Sequence, residues 1–201
     1  GFVYNAHFTA DSRFLISCGG DKKICIRKAE FDKLEQNRKG FHNGIIWCVS
    51  FSQDGKYFVT SSSDTNVIVW DAITSNPAFY LRGHMSHVTT AFITPCGNYV
   101  YSTSYDKYCK IWDFKNEKEI AAVDEQKSTV WYADVNRDQT LLATAGASWK
   151  IMVYNIANIR KPVRIRTLQG HSYDVLVVKF APDGRLISGS SDSTIKIWNI
   201  A

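Results

Sequence analysis

The sequence predicts an all-β chain made of five copies of one four-stranded antiparallel unit, and three observations carry that expectation. Segments 61–71 (SSSDTNVIVWD), 102–114 (STSYDKYCKIWDF) and 188–200 (SGSSDSTIKIWNI) are copies of one another, with weaker copies at 17–28 and 144–155. Marked by the turn residue they share (Asp21, Asp64, Asp106, Ser148, Asp192), the copies recur at intervals of 43, 42, 42 and 44 residues. Each copy also divides into short apolar runs separated by turn chemistry. In the third these runs are Val88–Ile93, Tyr99–Ser102, Tyr108–Trp112 and Glu119–Val123.

Between the first two runs of each unit stand Ala10-Asp11-Ser12, Gln53-Asp54-Gly55, Pro95-Cys96-Gly97, Arg137-Asp138-Gln139 and Pro182-Asp183-Gly184. These residue types favour tight turns. The units fall near 1–39, 40–81, 82–123, 124–168 and 169–201, and the last lacks a fourth run. A four-stranded sheet cannot bury both faces alone, so neighbouring units must stack. No linker interrupts the series, and a single domain over 1–201 is expected.

Composition narrows the function classes. With 45% hydrophobic and 21% charged residues, the chain has the make-up of a globular protein. Its apolar runs, such as Ile45–Val49 and Val175–Val178, are far shorter than the roughly 20 residues of a membrane helix. The five cysteines (Cys18, Cys25, Cys48, Cys96, Cys109) are an odd number without a C-x-x-C pair. They are expected to be small hydrophobic residues of an intracellular protein, cytoplasmic or nuclear, rather than disulfides or zinc ligands. A net charge of +5 permits an acidic partner without pointing to nucleic acid. No cofactor and no metal are expected.

The low-forties period, with the pairs Trp70-Asp71, Trp112-Asp113, Gly83-His84 and Gly170-His171, resembles the WD-repeat family over essentially the whole chain. The resemblance implies a β-propeller, with about seven blades in most members. Five units with the last one short then imply a partial, open propeller. A five-bladed ring with an open seam is the alternative.

In that family a hydrogen-bond chain runs from a Trp indole through a Ser or Thr hydroxyl and a His to an Asp. The matching residues are Trp70, Thr60, His42 and Asp64 in the second unit, and Trp112, Ser102, His84 and Asp106 in the third. In the fifth they are Trp198, Ser188, His171 and Asp192. Indole only donates, hydroxyl and imidazole do both, and the carboxylate accepts, so the chemistry suits the order. In the fourth unit Gln126, Ser148 and Tyr154 stand in these places, and in the first Arg27 replaces the Trp. Those two units should be looser, or their odd residues serve function. A His-Asp-Ser set also invites a catalytic reading. Here, however, the set recurs with a Trp at fixed spacing, whereas a hydrolase needs one triad beside an oxyanion hole. The chain is expected not to be an enzyme, with a propeller enzyme as the weakest alternative.

Four, seven and nine residues after the His position lies an apolar set. It comprises Val3, Ala6, Phe8; Ile46, Val49, Phe51; Val88, Ala91, Ile93; Val130, Ala133, Val135; and Val175, Val178, Phe180. These are expected core positions. Five after the His the residue varies: Tyr4, Trp47, Thr89, Trp131, Leu176. The resemblance places this residue at the rim of the channel, on the face where partners dock. On that basis Tyr4, Trp47, His87, Tyr105, Trp131 and Asp174 are the candidate partner-binding residues. Large amphipathic rings suit an interface, although Trp47 and Trp131 could equally pack between units.

The expected function is a scaffold that binds a peptide or partner protein within a larger assembly. The alternative is a nucleic-acid-associated subunit using the basic groups Lys22, Lys23, Lys28, Lys33, Arg38 and Lys39, or Arg160, Lys161, Arg164 and Arg166. Those stretches lack the interleaved aromatics that stack on RNA bases. Ile73, Lys115, Ala157 and Ala201 stand where cullin-ligase receptors of the family often carry Arg, which removes support for that subtype. The Phe-Arg-Arg-Gly motif of phosphoinositide-binding propellers is absent.

Overall fold

The structure, a computed structural model, describes residues 1–9, 12–28, 34–38, 40–124 and 128–200, with backbone alone at 34–38. Ala10, Asp11, Lys33, Lys39, Gln126, Ala201 and the Arg38 side chain lie outside the described residues.

Alternating apolar runs punctuated by turns give, among the described residues, nineteen strands in five sheets. The first sheet is β1 (Val3–Phe8), β2 (Phe14–Gly19), β3 (Ile24–Lys28) and β4 (Leu34–Arg38). The second is β5 (Ile46–Phe51), β6 (Tyr57–Ser62), β7 (Val67–Asp71) and β8 (Pro77–Leu81). The third is β9 (Val88–Ile93), β10 (Tyr99–Ser104), β11 (Tyr108–Asp113) and β12 (Lys118–Asp124). The fourth is β13 (Val130–Val135), β14 (Leu141–Gly146), β15 (Ile151–Asn155) and β16 (Val163–Leu168). The last has three strands, β17 (Val175–Phe180), β18 (Leu186–Ser190) and β19 (Ile195–Trp198). Strand order follows chain order in every sheet, the meander of a propeller blade. Among the described residues no helix is long and apolar enough to cross a membrane.

The chain groups into two compact units, Gly1–Ser102 with Trp112–Lys118, and Thr103–Ile111 with Glu119–Ala201. In the first unit, Ile46, Val49 and Phe51 of β5 pack on Ile16, Cys18, Ile24 and Ile26 of the first sheet. Val88, Ala91 and Ile93 of β9 pack in the same way on Val59, Val67, Val69 and Leu81 of the second sheet. In the second unit Val175 and Val178 of β17 cover Ala143, Ala145, Ile151 and Val153. In the second, third and fifth sheets the apolar set therefore binds the sheet to the one before it, and burial of such side chains is worth about 1.5–3 kcal/mol each.

Two expectations about the core need correction. Val88 is fully buried, but Val3 is 68% and Phe8 53% exposed, and Ala6 is exposed too. They occupy the same register, yet that face of β1 is left exposed. Cys96 is likewise exposed, on the turn after β9, where its Sγ lies 3.2 Å from Thr94 Oγ1. Cys18, Cys48 and Cys109 are buried, and none of the five cysteines is in a disulfide.

At the ends of the sheets, backbones approach closely. Ala147 N–H donates to Thr129 O at 2.9 Å, and a Cβ on the preceding Gly146 would run into that same carbonyl. Gly146→Ala should therefore lower stability by about 1–3 kcal/mol, as overpacking does, read as a shift in the urea midpoint.

Candidate functional site

The polar frame of each blade begins with its only pure donor. In the second sheet, Trp70 Nε1–H donates to Thr60 Oγ1 at 2.9 Å, and His42 Nε2 lies 2.8 Å from the same oxygen. His42 Nδ1 lies 2.9 Å from Asp64 Oδ2. The fifth sheet repeats the chain. Trp198 Nε1–H donates to Ser188 Oγ at 2.8 Å, His171 Nε2 lies 2.8 Å from that oxygen, and His171 Nδ1 lies 2.8 Å from Asp192 Oδ2. In the third, Trp112 Nε1–H donates to Ser102 Oγ at 2.7 Å, and His84 Nε2 is 2.7 Å from it. His42, His84 and His171 are buried, as are Thr60, Ser102 and Ser188. Hydroxyls so enclosed, each already holding an indole N–H, have no path to a substrate. Their arrangement can hold a blade together; it cannot present a nucleophile.

The carboxylate at the end of the chain joins two loops. Asp64 Oδ2 accepts from the backbone N–H of Asn43 at 2.8 Å, while Oδ1 accepts from the N–H of Asn66 at 3.0 Å. Asp192 takes Ser172 N–H at 3.1 Å and Thr194 N–H at 2.9 Å in the same way. Asp106 caps its own turn through Tyr108 N–H at 3.1 Å. Burial pushes the Asp64 carboxyl up. The His42 hydrogen bond and charge, with the backbone donors, outweigh burial and hold it well below the usual carboxylate range. Asp192 is held low by Thr194, His171 and two backbone N–H groups, again against desolvation.

Where the frame's residues change, partners are lost. In the fourth sheet Thr144 Oγ1 and Ser148 Oγ are buried and find no partner among the described residues, and the Tyr154 hydroxyl donates instead to Asp124 O at 3.1 Å. In the first sheet Asp21 still caps its turn through Lys23 N–H at 3.2 Å.

The variable position has a structural cause that spacing alone did not disclose. Register slips between Val3 and Asn5, Ile46 and Cys48, Val130 and Tyr132, and Val175 and Val177. The residue skipped in each pair is Tyr4, Trp47, Trp131 or Leu176. Each is the extra residue of a β-bulge, which breaks the alternation and re-aims one side chain. The step of three in the apolar set, between its first and second members, is that bulge seen in the sequence.

In the first unit, Tyr4 is exposed and packs on half-buried Trp47, with ring centroids 4.6 Å apart. Trp47 Nε1–H is enclosed and has no acceptor among the described residues. His87 is exposed. In the second unit, Tyr105 meets Trp131 edge-on at 5.1 Å, and Trp131 Nε1–H donates to Asp174 Oδ2 at 3.0 Å. Neither tryptophan is fully buried. Sequence reasoning missed a further pair, Trp149 and Tyr173, 48% and 60% exposed with rings 5.9 Å apart. The signal was available, since each is an aromatic at a loop position that is not aromatic in the other copies. The basic residues Arg160, Lys161, Arg164 and Arg166 are exposed, the last two alternating with exposed Val163 and Ile165 on β16. Among the described residues no cluster of His, Cys, Asp or Glu could hold a metal.

The depressed carboxylates give a pH dependence of fixed sign. Asp64 and Asp192 titrate lower in the folded chain than their unfolded value of about 3.9. Their stabilisation is therefore complete above that value and is lost as pH falls through the folded one. Asp64→Asn should cost about 1–3 kcal/mol at neutral pH. It should also flatten the loss of urea stability on acidification, which wild type should show below about pH 4.

The WD domain, G-beta repeat family matches residues 1–27, 35–71, 75–113 and 162–199. The unmatched stretch 114–161 holds Ser148 and Tyr154, the departures from the frame. The chain is 29% identical to the transcriptional corepressor LEUNIG_HOMOLOG of Arabidopsis thaliana, over 96% of this chain and 24% of that protein. It is 25% identical to Actin-interacting protein 1 of Drosophila melanogaster, over 98% of this chain and 33% of that protein. It is 24% identical to the B-type cell cycle switch protein ccs52A of Medicago truncatula, over 94% and 40%. The chain thus spans two fifths or less of the length of these relatives. With the repeat matched over more than half its residues and the indole–hydroxyl–imidazole chain present in three sheets, this chain belongs to the WD-repeat family of β-propellers.

Proposed function

We propose that this chain is a non-catalytic interaction scaffold of the cell interior that docks a peptide or partner domain on its bulge residues and their neighbours. Those residues are Tyr4, Trp47 and His87 in the first unit, and Tyr105, Trp131 and Asp174 in the second. The observation that carries the reading is the Trp47 indole N–H, enclosed and without an acceptor. An orphaned buried donor costs about 1–3 kcal/mol. The bulge tryptophan of the fourth sheet avoids that cost by donating to Asp174. Once a rotation of the partly buried ring uncovers the N–H, a partner's carbonyl or carboxylate would do the same for Trp47, while Tyr4 and Trp47 supply the apolar area common in interface hot spots. The relatives agree in kind: one is named a transcriptional corepressor and another an actin-interacting protein.

Trp47→Ala and Trp131→Ala should each weaken capture of the partner from a native extract by roughly thirtyfold, about 2 kcal/mol. The urea midpoint should move less than for the fully buried Trp70, because both rings are only partly buried. Trp47→Phe, which keeps a ring and removes the N–H, should lose part of the affinity. Full recovery of every partner by the double alanine variant would rule the reading out. A steep fall of binding with added salt would instead indicate a nucleic acid on the basic edge.

A further inference from the structure

We infer that the second unit carries a seat for a lysine or arginine side chain, presented by an extended partner segment and centred on Asp174 and the two aromatic pairs that its loop links. The inference rests on the docking proposal and adds to it the chemistry of what docks.

The first support is an aromatic residue at a strained position. Trp149 has φ +64°, in the left-handed region that bulky residues rarely adopt. The same turn position is left-handed in every copy but holds Lys22, Thr65, Lys107 or Ser193. The backbone shape thus belongs to the turn, and the indole belongs to this copy alone. It fills no core, being 48% exposed. Strain kept without burial in the core points to a use at the surface.

The second support is what lies against it. Tyr173, 60% exposed, packs on Trp149, and the other copies place Gly44, Ser86 and Ser128 at its position. The next residue, Asp174, turns the other way to accept the Trp131 indole N–H, and Trp131 in turn meets Tyr105. A loop of two residues therefore links the two pairs, Asp174 through its bond to Trp131 of the Trp131–Tyr105 pair and Tyr173 as a member of the Trp149–Tyr173 pair. The loop is pinned by Ser191 N–H on Asp174 O at 3.0 Å and by Ser190 Oγ on Tyr173 O at 3.2 Å.

Charge selects the occupant. Asp174 is half-buried, and no Lys, Arg or His among the described residues pairs with it. Lys107 and Lys150, the cations nearest to Tyr105 and Trp149 in sequence, form no ion pair with it. Aromatic faces carry negative quadrupole charge and attract cations, as the carboxylate does. An anion would be repelled by both, and a neutral apolar side chain would leave the carboxylate without a counter-charge. A lysine or arginine lays its methylene stem on the rings and brings its charge to the free carboxylate oxygen.

The test monitors the six tryptophan indole N–H signals in ¹H–¹⁵N spectra of the full chain. The probes are capped Ala-Ala-Xaa-Ala-Ala peptides with Xaa arginine, lysine, norleucine or glutamate, and Trp131→Phe and Trp149→Phe assign the two signals. Arginine and lysine peptides should shift Trp131 and Trp149 saturably, and norleucine and glutamate peptides should not. Asp174→Asn, which keeps an acceptor for the Trp131 indole, should weaken the arginine peptide tenfold or more. Tyr173→Ala should weaken it threefold or more, with the Trp70, Trp112 and Trp198 signals unmoved as witnesses that the frame is intact. Equal shifts from norleucine and arginine peptides, or an Asp174→Asn affinity equal to wild type, would overturn the cation seat and leave peptide docking standing. No indole shift with any peptide also overturns the seat, and full partner capture by the Trp47/Trp131 double variant would remove the docking reading independently.

Discussion

Asp64 holds three donors on one carboxylate: the imidazole of His42, the N–H of Asn43 and the N–H of Asn66. The first two belong to the loop entering a blade and the third to the turn between its second and third strands. A single buried charge therefore fixes where two segments about twenty residues apart must meet. The histidine passes the constraint on to Thr60, and Thr60 passes it to Trp70 at the far side of the sheet. Every other feature near that end of the blade is placed relative to this chain. Because the members are buried, removing one strands the next.

Against that constant frame the bulge supplies the variation. A regular strand would turn Trp47 or Trp131 to one face of its sheet and into contact with a neighbouring blade. The extra residue breaks the alternation and leaves the ring only partly buried. Blade cohesion and surface chemistry are thereby separated within one strand. Ile46, Val49 and Phe51 hold the sheet to its neighbour, while Trp47 between them is free to differ from Tyr4 or Leu176 without cost to packing.

In the fourth sheet the frame is relaxed, and the cost is visible. Thr144 and Ser148 keep buried hydroxyls without partners among the described residues, and Tyr154 turns to the Asp124 carbonyl. The same sheet carries Trp131 and the strained Trp149, two of the residues proposed for recognition. Stability has been conceded where surface aromatics are concentrated, a common trade at functional sites.

Much of this was legible in the sequence because the determinants are local and repeated. Turn residues at fixed spacing, alternating apolar runs and a donor-only indole ten residues after a hydroxyl specify strands, sheets and the polar chain almost without reference to the rest of the molecule. The step of three in the apolar set also recorded the bulge, although its meaning emerged only from the register. Other properties depend on what lies opposite a residue, which no periodicity encodes. Val3 and Val88 share a register, yet one is exposed and the other buried, because burial is decided by the sheet that does or does not pack against it. Trp47 and Trp131 share an offset, yet one indole is orphaned and the other holds Asp174, because the acceptor comes from a different blade 43 residues on. Repeat, blades and hydrogen-bonded frame thus follow from residue patterns local to each copy. Which faces are covered and which polar groups find partners follows instead from contacts between segments distant along the chain.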